Sequence, residues 1–292
     1  MKAIAEFAMR SRFHALGLAV AGSGSILFCW ISAAILGLVT LRKGVGSGLQ
    51  LMLWALLLPL VLIFTYGDSG PFTLLLGTTL LAVVLRTTVS LSLTLLGGVA
   101  VAALTGLGLL VLASAYLEQL LAVFVEFIAS LEQQFAEGGQ QVTLQRPSAL
   151  QIAGLMGAGM GMSCILCLLL ARYWQSALYN PGGFGSEFRA LRYPPAVTAA
   201  MVLVAVAVSA LGVEYRTWAV IASLPLNFVG LALVHARVQM RGMSGGWLVG
   251  FYLAWLLLDP VKLLMMVFAV VDSWLDFRRR WAGAEPPARG DG

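Results

Sequence analysis

The chain has 292 residues, 60% of them hydrophobic and only 11% charged. Its mean hydropathy of +0.92 excludes a soluble globular domain, in which apolar residues make up about half of the chain. The net charge of +5 does not point to nucleic acid, because the Lys and Arg residues sit scattered at the ends of apolar runs and form no basic stripe with aromatics. These properties predict an all-α polytopic transmembrane helix bundle.

At the start, Lys2, Arg10 and Arg12 precede Phe13 to Ala21, and Ala19-Val20-Ala21 resembles a signal cleavage site. The apolar sequence nevertheless runs on to Leu41, so a retained segment is expected. The run from Arg12 to Leu41 is too long for one upright span and barely enough for two, and Gly22-Ser23-Gly24-Ser25 interrupts it. Either a long kinked helix or a short hairpin fits. Arg42-Lys43-Gly44 closes it, and a clear span follows from Leu49 to Tyr66 with Pro59 inside. After the reversal signals of Gly67-Asp68-Ser69-Gly70-Pro71, Phe72 to Leu85 reaches Arg86, and Val89 to Leu112 is a further span.

From Ser114 to Glu137, Leu117, Leu120, Leu121, Phe124, Ile128 and Leu131 recur at helical spacing with polar residues between them. That pattern predicts an amphipathic helix, followed by a polar loop to Ser148. Leu150 to Tyr173 is the next span. Its Gly154, Gly157, Ala158, Gly159 and Gly161 permit close helix contact and make it a central helix. Then come Ala196 to Leu211, Trp218 to His235, and a last run from Trp247 to Trp274 cut by Asp259-Pro260 and Lys262. The expectation is about eight spans, within a range of roughly seven to ten. Residues 1–281 form one membrane domain that includes the acidic segment 114–148, and 282–292 read as a disordered polar tail.

One parity gathers Arg42-Lys43, Arg86, Arg172 to Arg192 and Arg237 to Arg241 on one side and the acidic 114–148 segment on the other. For the basic N-terminus and Arg278-Arg279-Arg280 to join that side, each terminal run must enter and return, with breaks near Gly22 and Pro260.

The sequence contains no P-loop, H-E-x-x-H, G-x-S-x-G or dinucleotide fingerprint, so a non-catalytic protein without cofactor is expected. Cys164 and Cys167 are spaced as C-x-x-C inside an apolar run with no second Cys or His pair, which predicts core packing and no metal. His14 and His235 are isolated near run ends and read as interfacial or core. Charges within apolar runs are costly, which makes Arg86, Asp259, Lys262 and Asp272 the candidate solute-binding residues. Asp259 and Lys262 flank Pro260, where a kink with half-helix ends would suit a ligand.

The stretch Ala171 to Pro195, ARYWQSALYNPGGFGSEFRALRYPP, is the one long segment outside the apolar runs with a dense pattern. Tyr173, Trp174 and Tyr179 suit the headgroup level, and Asn180-Pro181-Gly182-Gly183 stops the helix. Phe184, Phe188 and Leu191 then recur at helical spacing between Glu187, Arg189 and Arg192. Arg172, Trp174, Gln175, Tyr179, Asn180, Pro181, Gly182, Gly183, Phe184, Glu187, Phe188 and Arg192 are therefore candidate docking or gating residues.

This stretch resembles the YybS-like family of uncharacterised bacterial integral membrane proteins. Met9-Arg10-Ser11-Arg12 with Ala15, Leu38-Val39-Thr40-Leu41-Arg42-Lys43-Gly44 and Asp272-Ser273-Trp274-Leu275-Asp276-Phe277-Arg278 look like that family's other landmarks. The family is distantly similar to the substrate-binding components of energy-coupling-factor transporters, which dock on a membrane partner through A-x-x-x-A spacing. Ala15 and Ala19 match that spacing. The resemblance implies a multi-pass protein of the bacterial inner membrane, and the positive-inside rule makes the basic loops cytoplasmic and 114–148 outside. It would bind or move a small solute within the lipid bilayer, alongside another membrane protein or a coupling ATPase complex. The alternative is a scaffold or assembly factor acting through residues 171–195, with Trp174, Phe184 and Phe188 exposed. No nucleic-acid partner is expected.

Overall fold

A computed structural model describes residues 2–25 and 27–283; the tail expected at 282–292 lies almost wholly outside them. Among the described residues all regular structure is helical, and six helices are long and apolar enough to cross a membrane, or seven when one sharply bent pair counts as a span. The chain is an all-α polytopic membrane bundle.

α1 (Lys2–Arg10) leads into α2 (Arg12–Ser23), whose first turn is capped by the Ser11 hydroxyl accepting from the His14 amide. α3 (Cys29–Lys43) returns alongside α2, with Ser32 Oγ reaching the Leu18 carbonyl at 3.5 Å. The first apolar run is therefore a short hairpin broken after Gly22. α4 (Val45–Ala55) and α5 (Leu57–Tyr66) form one span with a break at Leu56. Pro59 explains the break, since its ring crowds the carbonyl four residues earlier and its nitrogen cannot donate. α6 (Gly70–Thr88) climbs back to Arg86, and α7 (Leu91–Leu112) descends again.

α8 (Ser114–Glu137) is long and apolar enough to span, yet it buries only Leu117 among its described residues. Leu117 packs on Ile152 and Ala153 in the first turns of α9 (Ala149–Tyr179), so the chain leaves and returns at the same end of the bundle. The amphipathic reading of 114–137 accounts for this better than a crossing does.

α9 is the central helix. It packs on α3, α6, α7 and α8, and a capping box of Ser148 and Gln151 fixes its start. At Gly157 an added Cβ would lie 2.5 Å from the Ala102 carbonyl oxygen, and at Gly161 the same distance from the Ala102 Cβ. The α7 and α9 backbones are thus in direct contact, and van der Waals packing between them takes the place of a hydrophobic drive that lipid cannot supply.

A short α10 (Gly183–Arg189) precedes α11 (Pro195–Ala210) and α12 (Arg216–Met240). The last run is α13 (Gly245–Leu257) and α14 (Asp259–Leu275), bent by 110° at Leu258. Pro260 sits in the first turn of α14, where a missing N–H costs nothing. α15 (Phe277–Gly283) ends the described chain. With α8 set aside, α2, α3, α4–α5, α6, α7, α9, α11 and α12 make eight apolar segments, and the α13–α14 pair is bent by 110°.

Candidate functional site

The basic residues converge on one end of the bundle. There Arg86 and Gln175 both donate to the carbonyl of Leu41, near the end of α3. Arg42 lies over the Tyr179 ring, 4.0 Å from its centroid, and Arg237 over Trp281 at 4.7 Å. Residues 171–195 form the centre of this end.

The chain folds there for local reasons. The Ser176 hydroxyl donates to the Asn180 carbonyl at 2.6 Å and accepts from the Phe184 amide at 2.9 Å, bridging the end of α9 to the start of α10. Gly182 takes φ +85°, a conformation that disfavours any residue with a Cβ. α10 then presents two faces. Glu187 meets Arg172 at 2.7 Å on one side, whereas Phe184, Gly185, Phe188 and Arg189 line a cavity on the other.

Beyond α10 the chain is locked by an ionic cluster. Asp272 is fully buried, accepts from Arg278 Nη1 at 2.7 Å, and also receives the Phe277 amide at 2.9 Å. Arg192 bonds Asp276 at 2.7 Å and donates to the carbonyls of Asp272 and Ser273. Arg278 donates in turn to the Leu191 carbonyl at 3.0 Å. Two arginines and two aspartates balance in charge, and carbonyls accept from both Nη2 groups, while the buried Nε atoms of Arg192 and Arg278 have no hydrogen-bond partner among the described residues. Burial pulls the Arg278 pKa below the usual arginine range, and the adjacent Asp272 carboxylate opposes that shift. Next to the cluster, Tyr193 is buried and donates to the Ser92 carbonyl at 2.7 Å. Burial pushes its phenol pKa up.

Two open cavities flank α10. One, of about 610 Å³, is lined by Leu41, Leu85, Arg86, Arg172, Gln175 and Glu187. The larger, of about 690 Å³, lies between α9, α10, α12 and α13, with Lys2 of α1 at its edge. Along it runs a chain of rings: Tyr173 on Phe184, Phe184 on Phe188, Phe188 on His235 and His235 on Tyr252, with centroids 6.2, 5.8, 5.6 and 5.9 Å apart. His235 Nε2 and the Tyr252 hydroxyl share a hydrogen bond of 2.7 Å.

No family profile, curated protein or solved structure matches the chain.

The geometry redistributes the residues singled out in the sequence. The four solute candidates do not form one pocket. Asp259, with a side chain 91% exposed, pairs with Lys262 at 2.8 Å on the first turn of α14, where a carboxylate also suits the helix dipole. Asp272 is about 20 Å further along the same helix, and its carboxylate is used by Arg278 and the Phe277 amide. Arg86 lies on the other side of the basic end. Among the docking candidates, Trp174 is 0% exposed and cannot present a surface. Ala15 and Ala19 are 2% and 0% exposed, covered by the chain's own neighbouring helices, so their small-residue face is already occupied. Gln175, Arg172, Tyr179, Asn180, Pro181, Gly182, Gly183, Phe184, Glu187, Phe188 and Arg192 all gather around α10. Ser176, Arg189, Tyr193, His235 and Tyr252 complete the site without having been singled out as site residues. A serine one turn before a helix stop was a usable signal for Ser176, whereas the His235–Tyr252 pairing is a tertiary contact with no local pattern.

Proposed function

We propose that this chain is a non-catalytic, transporter-component-like protein of the bacterial inner membrane that binds a small solute in the aromatic cavity beside α10. One observation carries the reading: a cavity of about 690 Å³ with mostly apolar walls and a few converging polar groups, Ser176, Arg189, His235 and Tyr252. Both its size and its lining are those of small-molecule sites. The basic loops around it face the cytoplasm under the positive-inside rule, and residues 114–148 lie outside. The stretches that resemble the YybS-like family, Arg172 to Phe184 and Asp272 to Arg278, are the segments that build and lock this end. Since the sequence has no ATP site, active transport calls for a partner ATPase or an ion gradient. The scaffold alternative expects Trp174, Phe184 and Phe188 exposed; Trp174 is buried, whereas Phe184 and Phe188 are only partly buried beside the cavity.

Native mass spectrometry of the gently solubilised protein tests the reading. A stoichiometric small molecule that is lost when the cavity is filled by Gly185→Leu supports it. A co-purifying protein with no small molecule, insensitive to that substitution, replaces it with the scaffold.

A further inference from the structure

The aromatic cavity is asymmetric in charge and in depth. Among the described residues no Asp or Glu lines it, while Lys2 and Arg189 do. The nearby acids are engaged elsewhere: Glu187 is turned to Arg172 on the opposite face of α10 at 2.7 Å, and Glu6 meets Lys2 in an exposed pair at 3.6 Å, the kind of contact that adds little. Arg189 makes no ion pair or hydrogen bond among the described residues. Its guanidinium nevertheless has a defined seat, because Gly185 leaves room for it. A Cβ at 185 would stand 2.9 Å from Arg189 Nη1. A half-buried arginine with unused donors, laid across a glycine and facing an acid-free cavity, is arranged for a bidentate anion.

The opposite part of the lining is apolar. The wall follows α9 from Leu169 past Tyr173, Ser176 and Ala177 to the loop at Pro181 and Gly182. At 1.5 Å per residue, Leu169 lies about 15 Å deeper along the helix than its end. The rings of Phe184 and Phe188 face the same space. The cavity therefore runs from the basic end down into the apolar layer, and it matches a molecule with an acidic head and an apolar tail.

We propose that the aromatic cavity takes an anionic amphiphile, with a phosphate or carboxylate head on Arg189 beside Lys2 and an acyl chain along Phe184, Phe188 and Leu169. This rests on the solute-binding reading of the same cavity and narrows its ligand class. The head recognised is the same whether the molecule is a bilayer lipid or a soluble single-chain acid.

The test uses the full chain, stripped of lipid in neutral detergent and examined by native mass spectrometry. The probes are phosphatidylglycerol, phosphatidylcholine, dodecyl phosphate, dodecanol and inorganic phosphate. Wild type is expected to retain phosphatidylglycerol or dodecyl phosphate about tenfold better than the neutral counterpart. Arg189→Gln should abolish that preference, Arg189→Lys should keep part of it, and Gly185→Leu should block all binding. Unchanged melting profiles of the variants would show that the fold is intact. Preference for phosphatidylglycerol over dodecyl phosphate assigns a bilayer lipid, and the reverse a soluble amphiphile; both support the proposal. Equal retention of charged and neutral probes, or inorganic phosphate binding as well as dodecyl phosphate, overturns it. If a neutral molecule is retained and Gly185→Leu still blocks it, the cavity reading stands and only the ligand class falls. If nothing sensitive to Gly185→Leu is retained, both fall.

Discussion

Asp272 and Arg278, six residues apart across the end of α14, meet at 2.7 Å with the aspartate side chain wholly buried. The contact turns the chain back on itself at Asp276, which has φ +48°, and places Arg278 against the carbonyl of Leu191. Removing one member of such a pair leaves the other charge buried without a counterion. Asp272→Ala is expected to destabilise the protein by roughly 3–5 kcal/mol. Thermal melting in detergent measures it, with Asp259→Ala and Lys262→Ala as exposed-pair controls that leave the melting temperature unchanged.

The contact between α7 and α9 leaves no volume for a side chain at Gly161, where a Cβ would meet Ala102 and the Gly98 carbonyl. Gly161→Val should cost about 1–3 kcal/mol through overpacking. Gly159, where an added Cβ meets nothing within 4 Å, should accept Ala with little effect. A similar effect at the two positions in a denaturation series would contradict this packing.

The fold places Lys43, Ser244 and the 171–195 loop at one end and residues 138–148 at the other. In a background lacking native cysteines, Gly139→Cys should react with a membrane-impermeant maleimide added outside intact cells. Lys43→Cys and Ser244→Cys should react only after the membrane is opened. Labelling of Ser244→Cys together with Gly139→Cys would mean that the α13–α14 run crosses rather than returns.

Tyr193 gives the basic end a pH dependence. Its phenol pKa is raised in the folded protein by burial, so the folded state favours the protonated form. The contribution to stability is complete below the ordinary tyrosine pKa of about 10 and is lost as pH rises beyond it. Between roughly pH 9 and 11 the wild type should lose stability relative to Tyr193→Phe, as read by melting at each pH. Parallel losses in the two proteins would show that another group is responsible.

Much of the fold is written in local patterns. Apolar run length, the Gly22 and Pro260 breaks and the parity of basic loops lead to the hairpin, the returning last run and the central α9, because lipid enforces those features on any sequence. The cavity was harder to read. Its walls come from α1, α9, α10, α12 and α13, and nothing local in Lys2 or Tyr252 says that the two face the same space. Charges in apolar runs were a misleading guide for Asp259, which sits at the start of α14 with its side chain 91% exposed and pairs with Lys262 outside either cavity beside α10. Trp174 misled for the opposite reason. Its position near headgroup depth suggested an interfacial ring, but α9 turns that face inward, and helical periodicity within a uniformly apolar run does not reveal which face is inner.

The ionic lock also sets an order of events during synthesis. Arg192 finds its acid at Asp276, 84 residues downstream, and the carbonyl of Leu191 waits for Arg278, 87 residues downstream. While α11 to α13 are still being made, the segment that carries α10 has only its earlier partners, Ser176, Arg172 and, through Tyr193, Ser92. The far wall of the cavity, with Tyr252, is also missing during that interval. The basic end is therefore the last part of the molecule to close, and a chain cut short after α12 would lack the acids and the arginine that lock it.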